Sequence, residues 1–145
     1  MNIPAQIRAG DTVKWRDDAA ADNLGNPISS SDGWALYYYL RTNTASEGAT
    51  VTGTAYGTGW EFTISQATTA AFDAGQWYWQ AEARNSGVHQ TLGAGQLEVL
   101  PGLSYTGAPG AFDGRTQAQK DLDAVQAAIR SIISGGAVAE YTIGS

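Results

Sequence analysis

Residues of the types used in catalysis are few in this chain, and they are not grouped in a catalytic pattern. His89 is the only histidine among 145 residues, and no Ser-His-Asp order or second metal ligand accompanies it. Glu61 and Glu82 fall on the outward faces of predicted strands, where two carboxylates could act as an acid/base pair. Solvated carboxylates normally occupy the same outward positions. We therefore predict that the protein is not an enzyme and has no catalytic residues.

A polar segment from residue 17 to residue 33 contains oxygen ligands of the kind that bind a cation. Its donors are Asp17, Asp18, Asp22, Asn23 and Asn26. Their spacing differs from that of the twelve-residue calcium loop, so we interpret the segment as a solvated loop and predict no metal site. The chain has no cysteine, which excludes disulfides, thiolate metal ligands and thiol nucleophiles.

Two glycine pairs have the composition of phosphate-binding loops but not their context. Gly57-Thr58-Gly59 and Gly93-Ala94-Gly95 do not stand between a strand and a helix, and no lysine follows either of them. We interpret both as hairpin turns. The sequence therefore predicts no cofactor.

The charge balance and the hydropathy pattern indicate which kinds of partner the protein does not bind. Fourteen acidic and eight basic residues give a net charge of −6, which is the opposite of what binding to nucleic-acid phosphates requires. No apolar run is long enough to span a membrane. The segment Met1–Arg8 lacks the basic start and apolar block of a signal peptide. We predict no direct nucleic-acid binding, no membrane association and no signal-dependent secretion.

Strict alternation between residues 76 and 84 predicts a strand around which the rest of the first hundred residues is organised. One face carries Trp77, Trp79, Ala81 and Ala83, and the other carries Tyr78, Gln80, Glu82 and Arg84. Turn-forming clusters at 73–75 and 85–87 bound the strand. Residues 34–40 alternate in the same way but are apolar on both faces, which predicts a central strand or one half-covered by a neighbouring subunit.

Further short strands are predicted at 3–9, 11–16, 50–56, 60–64, 88–92 and 96–100, with one helical turn at 68–72. This spacing predicts a mainly β fold, an immunoglobulin-like antiparallel β-sandwich with a C-terminal α-helix and a short tail strand. The core would be built from Trp15, Trp34, Trp60, Trp77 and Trp79. Burial of each large side chain contributes roughly 1.5–3 kcal/mol, which offsets the missing disulfide.

The residues after the predicted domain 1–100 change in composition and then in period. Residues 101–114 are rich in glycine and proline and form a predicted linker. From residue 115 to 145 we predict a docking arm, which consists of a helix and an extended tail. Thr116 and Gln119 form a capping box, and the segment 134–136 ends the helix. Apolar residues recur at four-three spacing at Ala118, Leu122, Val125, Ile129 and Ile132, and the tail strand contains Val138, Glu140, Tyr141 and Ile143.

Aromatic side chains opposite the tryptophans indicate where a partner would bind. Tyr37, Tyr39 and Tyr78 fall on that face, which either contacts another protein or is covered by the C-terminal helix; a sugar ring is a further alternative. The predicted interface residues are Tyr37, Tyr39, Tyr78, Leu122, Val125, Ile129, Ile132 and Tyr141.

Framework residues along nearly the whole chain follow a recognisable order. They are Ile3-Pro4-Ala5, Ile7-Arg8-Ala9-Gly10-Asp11, Val13 and Trp15; Trp34, Leu36, Tyr38 and Leu40-Arg41; Gly59-Trp60 and Phe62-Thr63; Ala67-Thr68-Thr69-Ala70; Ala74-Gly75, Trp77 and Trp79-Gln80-Ala81; and Phe112-Asp113, Arg115-Thr116 and Leu122-Asp123-Ala124. In this order the chain resembles a group of small structural proteins of tailed bacteriophages and prophages, the immunoglobulin-like head–neck or decoration family.

The resemblance implies a non-enzymatic virion structural protein that joins or decorates head–neck components. It implies many symmetric copies, a homo-oligomer, and partners among the other structural proteins of the head, neck or tail. The expected location is the virion, which is assembled in the cytoplasm of the host bacterium. The alternative is a carbohydrate-binding module on the virion surface, for which Tyr37, Tyr39 and Tyr78 would supply the binding rings.

Overall fold

The structure, a computed structural model, describes residues 1–133. It has two compact units, Met1–Ser104 and Tyr105–Ser145. The elements of the first unit are β1 (Gln6–Arg8), β2 (Val13–Asp17), β3 (Ala20–Ala21), β4 (Pro27–Ile28), a 3-10 helix (Ser30–Asp32), β5 (Ala35–Arg41), β6 (Gly48–Thr52), β7 (Thr54–Tyr56), β8 (Gly59–Ile64), α1 (Gln66–Ala70), β9 (Gly75–Asn85) and β10 (Val88–Leu100). The second unit contains α2 (Gln117–Ser131).

Three sheets organise the first unit. The largest has the strand order β1-β10-β9-β5-β6, the second has the order β2-β8-β7, and β3 pairs with β4. Strand β1 joins β10 in parallel, and the other pairs are antiparallel. The prediction of a mainly β protein with a C-terminal helix is confirmed. Within residues 1–133, no helix is long and apolar enough to cross a membrane.

Aromatic rings from the two larger sheets meet in one core. Tyr38 of β5 makes edge contacts with Trp15 of β2 and Phe62 of β8, with ring centroids 5.2 and 4.8 Å apart. Trp15 and Phe62 are stacked at 5.1 Å. Such edge and offset contacts are the favoured geometries of aromatic pairs. Of the five predicted core tryptophans, Trp15, Trp60 and Trp77 are buried, whereas Trp34 and Trp79 are only partly buried at the margin of the core.

The polar segment 17–33 differs from its prediction, since it is not one solvated loop. Asp17 is the last residue of β2 and is 3% exposed. Its carboxylate accepts hydrogen bonds from the Tyr38 hydroxyl and from the backbone N–H of Asn2. The segment also contains β3, β4 and the 3-10 helix. A run of polar residues suggested solvent exposure, but Asp17 has its donors in parts of the chain that are distant in sequence.

The predicted strand 50–56 is in fact two strands in different sheets. β6 pairs with β5 in the five-stranded sheet, and β7 pairs with β8 in the three-stranded sheet. The chain changes sheets at Gly53, whose N–H donates to the carbonyl oxygen of Leu36 at 2.9 Å. A Cβ at Gly53 would lie 2.8 Å from the Phe62 ring. Glycine is therefore required because the backbone passes directly over the core.

The predicted turn at Gly93-Ala94-Gly95 is wrong, because β10 runs without interruption from Val88 to Leu100. The register shifts once, between Thr91 and Gly93, as in a β-bulge. The two glycines make room for an indole ring: a Cβ at Gly95 would lie 2.9 Å from Trp79, and one at Gly93 would lie 3.4 Å from it. The other glycine pair does form the predicted turn, since Gly57 lies between β7 and β8 with a φ of 59°.

Replacing Gly95 with alanine is therefore expected to destabilise the first unit by about 1–3 kcal/mol, the usual cost of overpacking. The added methyl group must displace the Trp79 ring, which packs against the core. Urea unfolding followed by circular dichroism measures the change. Gly110→Ala is the matched control, because a Cβ there meets no atom within 4 Å; equal stability of the two variants would contradict this explanation of Gly95.

Candidate interaction site

The outward face of β5, β9 and β10 gathers the three tyrosines that the alternation singled out. The β5–β9 register places Tyr37 opposite Glu82, Tyr39 opposite Gln80 and Arg41 opposite Tyr78. We call the surface formed by Tyr37, Tyr39, Tyr78, Gln80, Glu82, Arg84 and His89 the tyrosine face. Tyr78 is 39% exposed, and Tyr37 and Tyr39 are half-buried. Their common face is as predicted, while their role as an interface stays a prediction.

Arg84 links the members of the tyrosine face. Its Nη2 donates to the Tyr39 hydroxyl at 2.6 Å, and its Nε donates to Glu82 Oε1 at 2.6 Å. Its guanidinium carbon lies 5.4 Å from the ring centroid of Tyr37 and 5.7 Å from that of Tyr39, within cation–π range. The hydrogen bond to Glu82 raises the pKa of Arg84. The guanidinium is therefore charged and held in place beside two rings.

His89 extends the tyrosine face along β10. It is opposite Arg84 in the β9–β10 register, and its Nδ1 lies 3.5 Å from Glu82 Oε1. Gln80 Nε2 donates to the Thr91 hydroxyl at 3.2 Å, and this hydrogen bond orients the Gln80 side chain toward β10. The side chain of Glu82 is only 16% exposed. The face thus contains an ordered network of donors and acceptors between aromatic rings.

The hypothetical acid/base pair does not form. Glu61 lies on β8 in the three-stranded sheet, where its carboxylate accepts from Arg16 Nε at 2.8 Å. Glu82 lies on β9 in the other sheet and contacts Arg84. The two carboxylates therefore belong to separate clusters.

Two of the oxygen donors in the segment 17–33, Asp17 and Asp22, accept hydrogen bonds from other groups of the protein. Asp22 accepts from the backbone N–H groups of Leu24 and Asn26 and from Asn26 Nδ2, and its hydrogen bonds with Asn26 lower the pKa of Asp22. Its oxygens thus stabilise the turn that they belong to. Across residues 1–133, no group of three or more His, Cys, Asp or Glu side chains could hold a metal ion.

The predicted residues of the C-terminal helix form an exposed stripe. Leu122, Val125, Ile129 and Ile132 are 49%, 55%, 50% and 62% exposed. Thr116 caps the helix by accepting from the Gln119 N–H at 3.1 Å, whereas the Gln119 side chain donates to Asp123 instead of completing the capping box. Tyr141, the predicted helix end at 134–136 and the predicted tail strand lie outside the described residues.

Arg115 forms salt bridges on both sides of the start of α2, with Asp113 and with Asp123, and we call this group the Arg115 clamp. Arg115 donates through Nε and Nη2 to the two carboxylate oxygens of Asp113 at 2.9 and 2.8 Å, and through Nη1 to Asp123 at 2.7 Å. These hydrogen bonds lower the pKa of Asp113 and of Asp123. The motif Asp113-x-Arg115-Thr116 contains the signal, because it puts a bidentate pair directly before a helix cap.

Comparison with known proteins does not assign the chain to a group, since neither a protein-family model nor a curated protein matches it.

Proposed function

We propose that this chain is a non-enzymatic structural protein of a tailed-phage virion, which binds a neighbouring virion protein through the tyrosine face. The observation that carries the proposal is the Arg84 network, in which a fixed guanidinium stands beside two half-buried tyrosines. Tyrosine and arginine, with tryptophan, are the residues most enriched in the energetic centres of protein–protein interfaces. Because the face is already ordered, little side-chain entropy is lost on binding.

The strand order supports the proposed immunoglobulin-like sandwich. Immunoglobulin domains of the constant type place strands B, E and D in one sheet and C, F and G in the other, and the variable type adds C′ beside C. Strands β2, β8 and β7 have the first order, and β10, β9, β5 and β6 have the second when it is taken from G to C′. In this assignment the tyrosine face is the outer face of the G-F-C-C′ sheet.

The framework residues that carry the phage resemblance have structural roles in this fold. Trp15, Phe62 and Trp77 are core residues, and Asp113 and Arg115 form the clamp before α2. These roles support a shared architecture with the phage structural proteins, and we propose that the protein is part of the virion, which is assembled in the host cytoplasm.

The carbohydrate-binding alternative needs open ring faces on which a sugar can stack. The Arg84 guanidinium already occupies the neighbourhood of Tyr37 and Tyr39, at 5.4 and 5.7 Å from the ring centroids. Protein contact is thus the better supported use of the face. Chemical-shift changes of Tyr37, Tyr39 or Tyr78 with an oligosaccharide panel would replace the proposal with the carbohydrate alternative.

Replacing Tyr39 or Arg84 with alanine is expected to weaken incorporation of the protein into parent virions by at least about 10-fold, the effect of removing an interface centre. The variant proteins are supplied in trans to a phage that lacks the gene, and copies per particle are counted by quantitative mass spectrometry.

The chain offers a matched control on the other sheet. Arg16 donates to Glu61 at 2.8 Å and stands 3.8 Å from the Tyr56 ring centroid, so it shares with Arg84 a carboxylate partner and a neighbouring tyrosine ring. We expect Arg16→Ala to be incorporated like the wild type. Equal loss for Arg16→Ala and Arg84→Ala would contradict the choice of face, and absence of the wild-type protein from parent virions would overturn the proposed function.

A further inference from the structure

The exposed stripe of α2 follows a heptad repeat. Ala118, Leu122, Val125, Ile129 and Ile132 are separated by four, three, four and three residues. In heptad terms Leu122 and Ile129 occupy a positions, while Ala118, Val125 and Ile132 occupy d positions. This average spacing of 3.5 residues is that of coiled-coil helices, which supercoil so that the apolar side stays against the partner helix.

The charges on α2 are arranged around the stripe and not within it. Lys120, Asp123 and Arg130 fall at b and f positions, and the Arg115 clamp holds Asp123 on that side. The flanking e and g positions are Gln119, Asp121, Gln126, Ala128 and Ile133. When copies of α2 lie parallel, Asp121 at g faces Gln126 at e of the neighbour, so identical helices meet without a like-charge pair.

A helix of this length is marginal in water without packing of its apolar side. Since the repeat fits a supercoiled helix and the flanks are compatible with an identical one, we propose that α2 associates with α2 of further copies of this chain in a parallel coiled coil. Leucine or isoleucine at a with isoleucine at d favours more than two helices, and Leu122, Ile129 and Ile132 follow this pattern. Ala128, at a g position, widens the apolar side of α2.

More than two copies around one axis form a cyclic assembly, in which all helices run in the same direction. This homotypic contact uses α2 alone and does not depend on the tyrosine face. A failure of self-association and a failure of virion binding are therefore separate results.

Replacing Ile129 with aspartate tests the contact. Analytical ultracentrifugation of the full-length wild-type protein over a range of concentrations is expected to show assemblies of more than two copies. Ile129→Asp is expected to weaken association by at least about 100-fold, because it places an unpaired carboxylate at an apolar interface. Ala127→Asp adds the same charge at an f position and is expected to associate like the wild type. A wild-type monomer or dimer at every concentration would overturn the proposal.

The absence of cysteine allows a second, direct test of the parallel arrangement. Val125→Cys places one thiol at a d position, where neighbouring helices of a parallel coiled coil bring identical residues together. We expect oxidation to give covalent dimers for Val125→Cys and not for the f-position variant Ala127→Cys. All five tryptophans lie before residue 80, so their fluorescence confirms that the first unit is folded in every variant. Equal cross-linking of the two cysteine variants would contradict a parallel coiled coil.

Discussion

Replacing Trp77 with alanine is expected to lower the free energy of unfolding of the first unit by about 3–5 kcal/mol, the usual cost of a buried tryptophan cavity. Trp77 is 1% exposed and packs on Phe72 with ring centroids 4.5 Å apart. Its Nε1 also donates to the carbonyl oxygen of Asp73 at 2.9 Å. The variant therefore loses core contacts and the connection between β9 and the segment before it. Urea unfolding followed by circular dichroism measures the loss.

Tyr78→Ala is the matched control, because Tyr78 is the next residue along the same strand and faces outward. We expect it to change stability by no more than about 0.5 kcal/mol, as for most surface substitutions. If both variants lost the same stability, the assignment of one buried and one outward face to β9 would be wrong. The same control separates folding from binding, since Tyr78 belongs to the tyrosine face.

Replacing Tyr38 with phenylalanine is expected to cost about 1–3 kcal/mol, although the ring and its packing are retained. The Tyr38 hydroxyl donates to the carboxylate of Asp17, and both residues are buried. Phenylalanine has no hydroxyl, so the Asp17 carboxylate loses one of its two hydrogen-bond donors while it stays buried. Chemical denaturation at neutral pH measures the loss, and Tyr56→Phe, on an exposed residue, is expected to retain wild-type stability.

Tyr38 is also expected to make the free energy of unfolding depend on pH in the alkaline range. Burial, followed by the hydrogen bond to Asp17, raises the pKa of Tyr38 above the ordinary value of 10.0. The stabilising contribution is complete below pH 10, and it declines above pH 10 because the unfolded chain then releases this proton first. We expect the free energy of unfolding to fall more steeply above pH 10 in the wild type than in Tyr38→Phe. Parallel curves for the two proteins would contradict this origin.

Alternation of period two correctly predicts which side chains of β5 and β9 face the core, although Trp79 is only partly buried. Leu36, Tyr38 and Trp77 are in the core, and Tyr37 and Tyr78 are on the outward face. The pattern is local, because successive side chains of a strand point to opposite faces whatever its neighbours are. For the same reason the sequence predicts the Thr116 cap, whose acceptor and donor are three residues apart.

Features that depend on distant residues were not predictable in this way. The glycines at 93 and 95 resemble a turn in sequence, and only the packing of Trp79 against β10 explains them. From the sequence alone Asp17 is expected to be exposed to solvent, because its hydrogen-bond donor Tyr38 is 21 residues away. The tyrosine face shows both cases: its tyrosines follow from alternation, whereas the hydrogen bond from Arg84 to Tyr39 spans 45 residues and requires the β5–β9 register.

The parallel pairing of β1 with β10 has a consequence for the time at which the first unit is completed. Gln6 pairs with Glu98, and Arg8 pairs with Leu100, so this contact joins the two ends of a chain segment of nearly a hundred residues. Closing such a long loop is slow compared with forming the β9–β10 hairpin. During synthesis, β1 cannot pair with β10 until residue 100 has left the ribosome. The strand that is synthesised first therefore joins its sheet only after the last strand has been made.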